Sequence, residues 1–466
     1  MNIKNKNKKE DFDDKVSERF EVLDKIGKGT FGTVYKALDK TTNTIVAIKK
    51  TFDVLNSKAE SERLFRELTL INSFEEHPNI IKIYNVKKSL NSKDLYLMYE
   101  YYPANLYTVI RAKILTSQHI KFISYQLLKL LKYIHSAGII HRNLKPSNIL
   151  ITPECMIKLD DFSLAKSIIT KEDDYLSNIT DYIAIRWYRA PEILLGAEYV
   201  EDSIDQEIKE NNVDVKNSDN IKDELITEVV NNVENTGIGE NERLHKDNCV
   251  ENDAKNLKSQ SLSNNDPEYK YSEYCKKVDL WSVGCILGEM LCGKTIFPGS
   301  STINQLNLIT QLVGFPTQED LDQIKLSLSG LLESIKLLQK IDIKSYLYNG
   351  VNYIKDFNQD SNNSNRFKKM FPDVEDDALD LLTKLLVFNP YKRITVEEAL
   401  AHSFVRDFRK VEEEITCSRK IELRLTDEFK QEVLMYKKQV EKEEGCDSYT
   451  NSVYISKFSE ETKKKI

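Results

Sequence analysis

The sequence predicts an α+β protein in which a small β-rich region precedes a larger helical region. In the first hundred residues, β-branched and aromatic residues alternate with turn residues, which is typical of short antiparallel strands. Further along the chain, apolar residues recur every three or four positions, which is typical of helices. With 466 residues, 40% of them hydrophobic, the chain can bury a sizeable core. Its 15 glycines and 10 prolines are too few for a collagenous or low-complexity chain.

The individual elements follow from the same patterns. Strands are predicted over residues 20–26, 33–38, 44–50, 80–87 and 95–101, with one helix over residues 57–74. In the second region, Thr116 or Ser117 can cap a long helix, and Gly138 lies where a left-handed residue would end it. Further helices are predicted over residues 278–291, 378–388 and 396–402.

The formal net charge of -7 is unevenly distributed along the chain. Residues 201–268 contain 18 acidic residues, 7 basic residues and 13 asparagines, with no aromatic residue. Such a composition cannot offset its own ordering entropy, so we predict a disordered acidic insertion over about residues 198–270. A solvated loop and a regulated acidic docking segment both fit this insertion. The remaining chain is too weakly basic to indicate nucleic-acid binding.

The spacing of the cysteines and the hydropathy of the chain indicate the cellular compartment of the protein. The seven cysteines are scattered and include no CxxC pair, which argues against a disulfide framework and against a zinc site. The first residues are charged and contain no apolar stretch, and no window has 18 consecutive apolar residues. We therefore expect an intracellular protein without membrane attachment, in the cytoplasm, the nucleus or both.

A glycine-rich segment, GKGTFG over residues 27–32, follows the first predicted strand. Glycines allow backbone N–H groups to approach phosphates, because no Cβ is in the way. On its own, the pattern is as typical of an ordinary hairpin turn. Because Thr33, Val34 and Tyr35 continue as a strand, we predict a β-hairpin over phosphates and not the strand-to-helix turn of a dinucleotide-binding domain.

Lys49 lies inside a predicted strand, in the sequence VAIK over residues 46–49. A lysine in such a position usually points to water from a sheet edge. Glu67 in the following predicted helix offers it a partner, and such a Lys–Glu pair holds a lysine against the α- and β-phosphates of a nucleotide. Together with the glycine-rich segment, the pair predicts a nucleotide site.

Two later motifs give the chain a family resemblance. HRNLKPSN over residues 141–148 and DFS over residues 161–163 complete a pattern that resembles a eukaryotic protein kinase over about residues 20–408. The segments ITDYIA (179–184) and RWYRAPE (186–192) resemble the mitogen-activated protein kinases more closely. The resemblance implies a bilobal protein-kinase fold, with a small β-rich N-lobe and a larger α-helical C-lobe. It also implies a serine/threonine kinase of signal transduction that uses ATP and Mg²⁺.

The resemblance also divides the chain. Residues 1–16 are expected to form a disordered tail, residues 17–102 the N-lobe and residues 103–408 the C-lobe, which contains the acidic insertion. Residues 409–466 are expected to form an extension that packs back on the N-lobe.

The family's site residues map onto this sequence position by position. ATP would contact Ile26, Gly27, Lys28, Gly29, Thr30, Phe31, Gly32, Val34, Ala47, Lys49, Glu100, Tyr102 and Asn105. Lys49, Glu67, Asn143 and Lys145 would be the catalytic positions, and Asn148 and Asp161 would hold the metal. Tyr99 occupies the gatekeeper position, where its bulk should close the pocket behind the adenine.

Five residues depart from the family pattern, one of them Asn105, which stands where the family has an aspartate toward the ribose. Asn143 replaces the aspartate that accepts the substrate hydroxyl proton, and a carboxamide cannot take a proton at physiological pH. Ile185 replaces a threonine that would contact that aspartate, and Ser163 replaces a glycine. Asp160 adds a carboxylate that, on a strand, should face away from Asp161. The resemblance is thus to a member with a degenerate catalytic loop.

The regulatory residues of the family are all present. Thr180 and Tyr182 form a TDY motif for dual phosphorylation. Their phosphates would bind a pocket formed by Arg66, Arg142, Lys166, Arg186 and Arg189. The implied partners are an upstream dual-specificity kinase and protein substrates or scaffolded partners, which an acidic docking patch at Glu412, Glu413 and Glu414 would recruit to a monomer.

Two functions remain open from the sequence. In the first, the chain binds Mg-ATP and is switched by phosphorylation, while phosphotransfer is attenuated or lost, as in a pseudokinase. In the second, it is a fully active serine/threonine kinase, because the Asn143 carbonyl oxygen can still orient a substrate hydroxyl and phosphoryl transfer depends mainly on positioning.

Overall fold

The computed structural model describes residues 12–29, 32–52, 54, 58–74, 77–91, 94–168, 186–195, 267–317, 319–320, 323–324, 363–421 and 423. The N-terminal part is a five-stranded antiparallel sheet with the order β1-β2-β3-β5-β4. Its strands are β1 (Phe20–Gly29), β2 (Gly32–Asp39), β3 (Thr44–Thr51), β4 (Ile83–Lys88) and β5 (Leu95–Glu100). Helix α2 (Lys58–Ser73) lies between β3 and β4 in sequence, as predicted.

A short helix, α1 (Asp14–Arg19), precedes the sheet. Val16 is buried against Ala37, Ile48 and Tyr96, and Phe12 packs against the same cluster. These apolar side chains give residues 12–16 a surface to fold on. The folded region therefore begins earlier than the predicted boundary at residue 17.

The helical part is built around α4 (Ser117–Ser136). Thr116 caps this helix by accepting a hydrogen bond from the His119 backbone N–H, and Gly138 has φ +76° just after its end, so both predicted limits are confirmed. The other elements are β6 (Ala104–Asn105), α3 (Leu106–Ala112), β7 (Ile139–Ile140), β8 (Ile149–Ile151), β9 (Ile157–Leu159), β10 (Lys166–Ser167), α5 (Pro267–Cys292), α6 (Thr302–Val313), α7 (Asn363–Met370), α8 (Asp376–Leu385) and α9 (Val396–Leu400).

Helix α5 is longer than predicted, because it begins inside the segment that composition assigned to the acidic insertion. Its later turns form the centre of the C-terminal core, where Trp281 is fully buried and stacks on Phe297. Gly284 allows close packing here, since a Cβ on it would come within 2.8 Å of Leu386. The order of a β-rich part before a helical part is as predicted.

The described beginning of the C-terminal extension contacts the helical part. The Ile421 N–H donates to the Ala137 carbonyl at 2.8 Å, and the Cys417 N–H donates to Ser136 Oγ. The predicted return to the N-lobe falls mainly on residues outside the described ranges. Within those ranges, no helix combines the length and the apolar character that crossing a bilayer requires.

Candidate functional site

The glycine-rich segment joins β1 to β2 as a hairpin, with Gly27 opposite Val34 and Gly29 opposite Gly32. The predicted strand after the glycines is therefore confirmed. A Cβ on Gly32 would lie 2.3 Å from the Lys50 carbonyl oxygen, so close packing of β2 on β3 requires glycine there. Among the described residues, none has an atom within 4 Å of a Cβ placed on Gly29. Thr30 and Phe31 lie outside the described residues.

Lys49 on β3 forms the predicted pair with Glu67 on α2. Its Nζ lies 3.3 and 3.4 Å from the two carboxylate oxygens of Glu67. Burial alone would lower the pKa of Lys49, but the carboxylates of Glu67, Asp160 and Asp161 outweigh this effect and raise it. The lysine is therefore charged and faces three carboxylates. The lysine can bind an anionic ligand, and the carboxylates can bind a metal cation that accompanies it.

Glu67 has a second partner that the sequence pattern did not reveal. The hydroxyl of Tyr99, on β5, donates to Glu67 Oε1 at 2.8 Å, and both side chains are almost fully buried. Burial raises the pKa of Tyr99 well above its ordinary value, and the neighbouring Glu67 adds to the shift. The phenol therefore stays protonated and donates a hydrogen bond to the carboxylate.

Asp160 does not face away from Asp161, contrary to the prediction. Strand β9 ends at Leu159, and Asp161 has φ +64°, so strand alternation does not extend to this pair. Asp160 Oδ1 accepts a hydrogen bond from the Asp161 N–H at 2.8 Å. Desolvation raises the pKa of Asp160 to about 6, against the opposing effect of Lys49. Asp160 thus adds a carboxylate to the Lys49 site.

The side chain of Asp161 accepts hydrogen bonds from Asn143, Asn148 and Ser163. Asn143 Nδ2 and Asn148 Nδ2 each donate to Asp161 Oδ2 at 3.1 Å, and Ser163 Oγ donates to Oδ1. Burial would raise the pKa of Asp161, but Lys49 and the Ser163 hydrogen bond, aided by Lys145, keep it below its ordinary value. A carboxylate only accepts hydrogen bonds, so each amide must present its nitrogen to Asp161.

Helix α5 supports the loop that contains Asn143. Asp279 Oδ2 accepts from the His141 N–H and Oδ1 from the Arg142 N–H, each at 2.8 Å, and His135 Nε2 lies 2.9 Å from Oδ2. These bonds fix the backbone at Arg142, where φ is +62°. The loop is therefore anchored to the C-terminal core independently of Asn143.

The predicted phosphate-pocket residues divide into two groups. Arg66 donates to the Ser163 carbonyl and Arg142 to the Leu164 carbonyl, while Lys166 lies on β10 opposite Ile140. Arg186 Nε donates to Thr302 Oγ1, and Arg189 is largely buried. Thr180, Tyr182 and Ile185 lie outside the described residues.

The residues expected around the adenine lie on β1 to β3 and on the segment after β5. Ala47 pairs with Tyr99 across the sheet, and Val34 lies against Gly27. Ile26 is 45% exposed beside the hairpin. The Glu100 side chain pairs with Lys158 at 2.9 Å.

Two further residues expected at the nucleotide, Tyr102 and Asn105, follow β5 directly. Tyr102 is partly buried. Asn105 Oδ1 caps α3 by accepting from the Thr108 N–H at 3.0 Å, so this oxygen already has a structural partner.

The side chains present fit a nucleoside triphosphate with magnesium. Gly29 leaves room where a larger residue would place a Cβ, and Lys49 supplies the cation that phosphates require. Asn148 gives its amide N–H groups to Asp161 and the Asn143 carbonyl, so its oxygen is the atom that remains for a hard cation. Asp161 supplies the carboxylate of such a site.

Two of the three glutamates predicted as a docking patch, Glu413 and Glu414, are paired with basic side chains of the same chain. Glu413 contacts Lys129 and Lys410, and Glu414 contacts Lys132 and Arg409, at 2.7 to 3.0 Å. Glu414 is buried, while Glu412 is exposed. Much of the negative charge is therefore compensated within the molecule.

Comparison with known proteins gives a consistent result. The chain matches the protein kinase domain family over residues 20–206 and 265–405. It is 38% identical over 431 residues to extracellular signal-regulated kinase 2 of Dictyostelium discoideum, covering 92% of this chain and 90% of that protein.

Two other similar proteins are mitogen-activated protein kinases by name. The chain is 34% identical over 429 residues to mitogen-activated protein kinase 15 of Xenopus laevis, covering 91% of this chain and 56% of that protein. It is 31% identical over 412 residues to mitogen-activated protein kinase spk1 of Schizosaccharomyces pombe, covering 88% of this chain and 84% of that protein. Each alignment spans most of this chain.

Proposed function

Because this chain belongs to the mitogen-activated protein kinase family, we propose that it binds Mg-ATP and is switched by phosphorylation of Thr180 and Tyr182 within a signalling cascade. Its serine/threonine phosphotransfer is attenuated or lost, because Asn143 replaces the catalytic aspartate. The family assignment supports the nucleotide and the cascade. The attenuation rests on this chain's own residues.

One observation supports the proposed attenuation of phosphotransfer. The Asn143 side chain donates a hydrogen bond to Asp161 Oδ2, so a neutral donor occupies the position of a proton acceptor. A carboxamide has no basic lone pair for the substrate hydroxyl proton. Loss of a general base typically slows a reaction by about 10²- to 10⁴-fold, so weak turnover is expected and not necessarily zero.

The roles of the remaining residues follow from their charges. Lys49, held by Glu67, would bind the α- and β-phosphates, and Lys145 would neutralise charge at the γ-phosphate. Asn148 and Asp161 would hold Mg²⁺, which when bound neutralises phosphate charge. Asn143 would hold Asp161 in place and offer its oxygen to a substrate hydroxyl.

That oxygen supports the alternative of a fully active kinase. With Nδ2 turned to Asp161, Asn143 Oδ1 is the atom left to accept a hydrogen bond from serine or threonine. Phosphoryl transfer needs little covalent assistance from the protein, so positioning alone would then suffice. A high rate for the unaltered chain would establish this alternative.

The switch and partners come from the family. A phosphothreonine adds a charge near -2 at pH 7, and Arg66, Arg142 and Lys166 offer the positive charge it needs. Arg186 and Arg189 would bind the phosphotyrosine. We propose an upstream dual-specificity kinase and protein substrates or scaffolded partners in the cytoplasm or nucleus, bound by a monomer. A docking peptide at Glu412–Glu414 would have to displace the internal lysines.

Calorimetric titration of the purified chain with Mg-ATP tests the nucleotide claim. We expect wild type to bind and Lys49→Ala combined with Asp161→Ala not to bind. Lys50→Ala is the matched control, because Lys50 is adjacent on β3 and lies near Asp94 and the Tyr96 ring. This control should retain the affinity of wild type. Absence of binding by wild type would refute the proposed function.

A further inference from the structure

Tyr99 makes the shortest described contact with Glu67. The hydroxyl lies 2.8 Å from Glu67 Oε1, whereas Lys49 Nζ lies 3.3 and 3.4 Å from the two oxygens. Tyr99 is 4% exposed and Glu67 is 2% exposed, so water does not compete for this bond. Because a hydrogen bond to an ionised acceptor in a dry site is strong, Tyr99 anchors this carboxylate alongside Lys49.

Lys49, by contrast, has several competing partners. Besides the contact with Glu67, the nearby carboxylates of Asp160 and Asp161 attract the Lys49 ammonium group and help to raise its pKa. Bound phosphates would also attract the same ammonium group. If Lys49 moved toward them, Glu67 would be a buried charge with a weakened partner, which is strongly unfavourable.

We propose that Tyr99 is a positioning residue whose hydroxyl holds Glu67, and with it helix α2, so that Lys49 is available to a bound nucleotide's phosphates. The inference rests on the proposed nucleotide binding. It differs from a steric role for Tyr99, in which the ring alone would shape the pocket behind the adenine. The two roles predict different effects on ligand affinity. Positioning of Lys49 affects binding of the phosphates, whereas the shape of the ring affects binding of the adenosine moiety.

Tyr99→Phe tests the hydroxyl while keeping the ring. We expect its dissociation constant for Mg-ATP to rise about 10-fold, because a hydrogen bond to a charged group is lost, and its dissociation constant for adenosine to stay unchanged. Tyr188→Phe is the matched control, because the Tyr188 hydroxyl also donates to a buried glutamate, Glu289, on α5. That control should leave both constants unchanged.

A double-mutant cycle identifies the route of the effect. If Tyr99 acts through Glu67, Tyr99→Phe should have no further effect on Mg-ATP affinity in a Glu67→Ala background. Unchanged Mg-ATP affinity in Tyr99→Phe, equal weakening of Mg-ATP and adenosine, or full additivity with Glu67→Ala would each overturn the inference.

Hydrogen exchange separates failure of this inference from failure of the proposed function. Amide exchange in α2 should be faster in Tyr99→Phe than in wild type and unchanged in Tyr188→Phe, even without nucleotide. If wild type binds no nucleotide, the proposed function fails, and the α2 exchange still decides whether Tyr99 holds the helix. Unchanged exchange in α2 would overturn the anchoring role.

Discussion

At the scale of single residues, Asn143 belongs to the Asp161 site, in addition to its proposed effect on proton transfer. Its Nδ2 lies 3.1 Å from Asp161 Oδ2, at the same oxygen that Asn148 contacts. An aspartate at position 143 would place a second carboxylate against Asp161, in a site that already contains Asp160 and Glu67. The asparagine therefore stabilises a cluster of negative charge in the nucleotide-free protein.

Asn143→Asp should accordingly destabilise the ligand-free protein. We expect the free energy of unfolding to fall by about 2 kcal/mol, because like charges at this separation repel in a partly buried site. Thermal unfolding without nucleotide or metal measures the change. Asn143→Ala, which removes the donor and adds no charge, should be less destabilised, and the opposite ranking would contradict this view of the site.

The two glycines at the tip of the β1–β2 hairpin should respond differently to alanine. Gly32→Ala would push a methyl group into the Lys50 carbonyl, so we expect a loss of about 1–3 kcal/mol in unfolding free energy. In Gly29→Ala the added methyl group would meet no described atom within 4 Å, so we expect the unfolding free energy to change by less than about 0.5 kcal/mol. Chemical denaturation of both variants checks the contrast, and equal losses would refute it.

At the scale of elements, the segment between α2 and β4 is attached to α4 through His77. The ring is 1% exposed and stacks on Tyr133 at 4.4 Å. Burial lowers the pKa of His77 to about 3, and the nearby Lys129 and Lys158 contribute. Its Nδ1 accepts from the Asn79 N–H, which requires the proton on Nε2. The segment thus depends on a neutral imidazole.

The stability of the protein should therefore fall as the pH drops below 6.5. The unfolded chain binds a proton at His77 near pH 6.5, whereas the folded chain does not until about pH 3, so acid favours unfolding. His77→Gln should reduce the slope of unfolding free energy between pH 6 and 4 by about 1.4 kcal/mol per pH unit. Denaturant titrations at several pH values measure this slope, and an unchanged slope would show that His77 does not contribute.

The sequence predicted most elements because their signals are local. Turn residues delimit β1 to β3, and Thr116 and Gly138 delimit α4, so the main strands and helices could be placed from neighbouring residues alone. The Lys49–Glu67 pair was predictable from its family pattern. The Tyr99 bond to Glu67 was not, because it joins residues 32 positions apart that only the tertiary fold brings together. The direction of the Asp160 side chain depends on where β9 ends. The alternation of residues along the strand does not define that end.

At the scale of the whole molecule, a buried ion pair joins distant parts of the helical region. Arg393 binds Glu192 through two hydrogen bonds, at 2.9 and 3.1 Å, and neither side chain is exposed. The same guanidinium donates to the Lys277 and Val387 carbonyls. The pair fixes the segment that contains Glu192 against α5.

Removing one partner of this pair should be strongly destabilising. We expect Glu192→Gln to lower the free energy of unfolding by about 3 kcal/mol, because it leaves a buried charge without its counterion. Asp376→Asn, which removes an exposed partner of Lys368, is the control and should lower it by less than about 1 kcal/mol. Equal effects in thermal unfolding would contradict the structural role of Glu192.

Phosphotransfer should be compared between the doubly phosphorylated wild type and Asn143→Asp, each saturated with Mg-ATP and a basic protein substrate. Because the proposed cause of low turnover is a missing proton acceptor at position 143, we expect the variant to be about 100-fold faster or more. Equally vigorous rates for wild type and variant would contradict it.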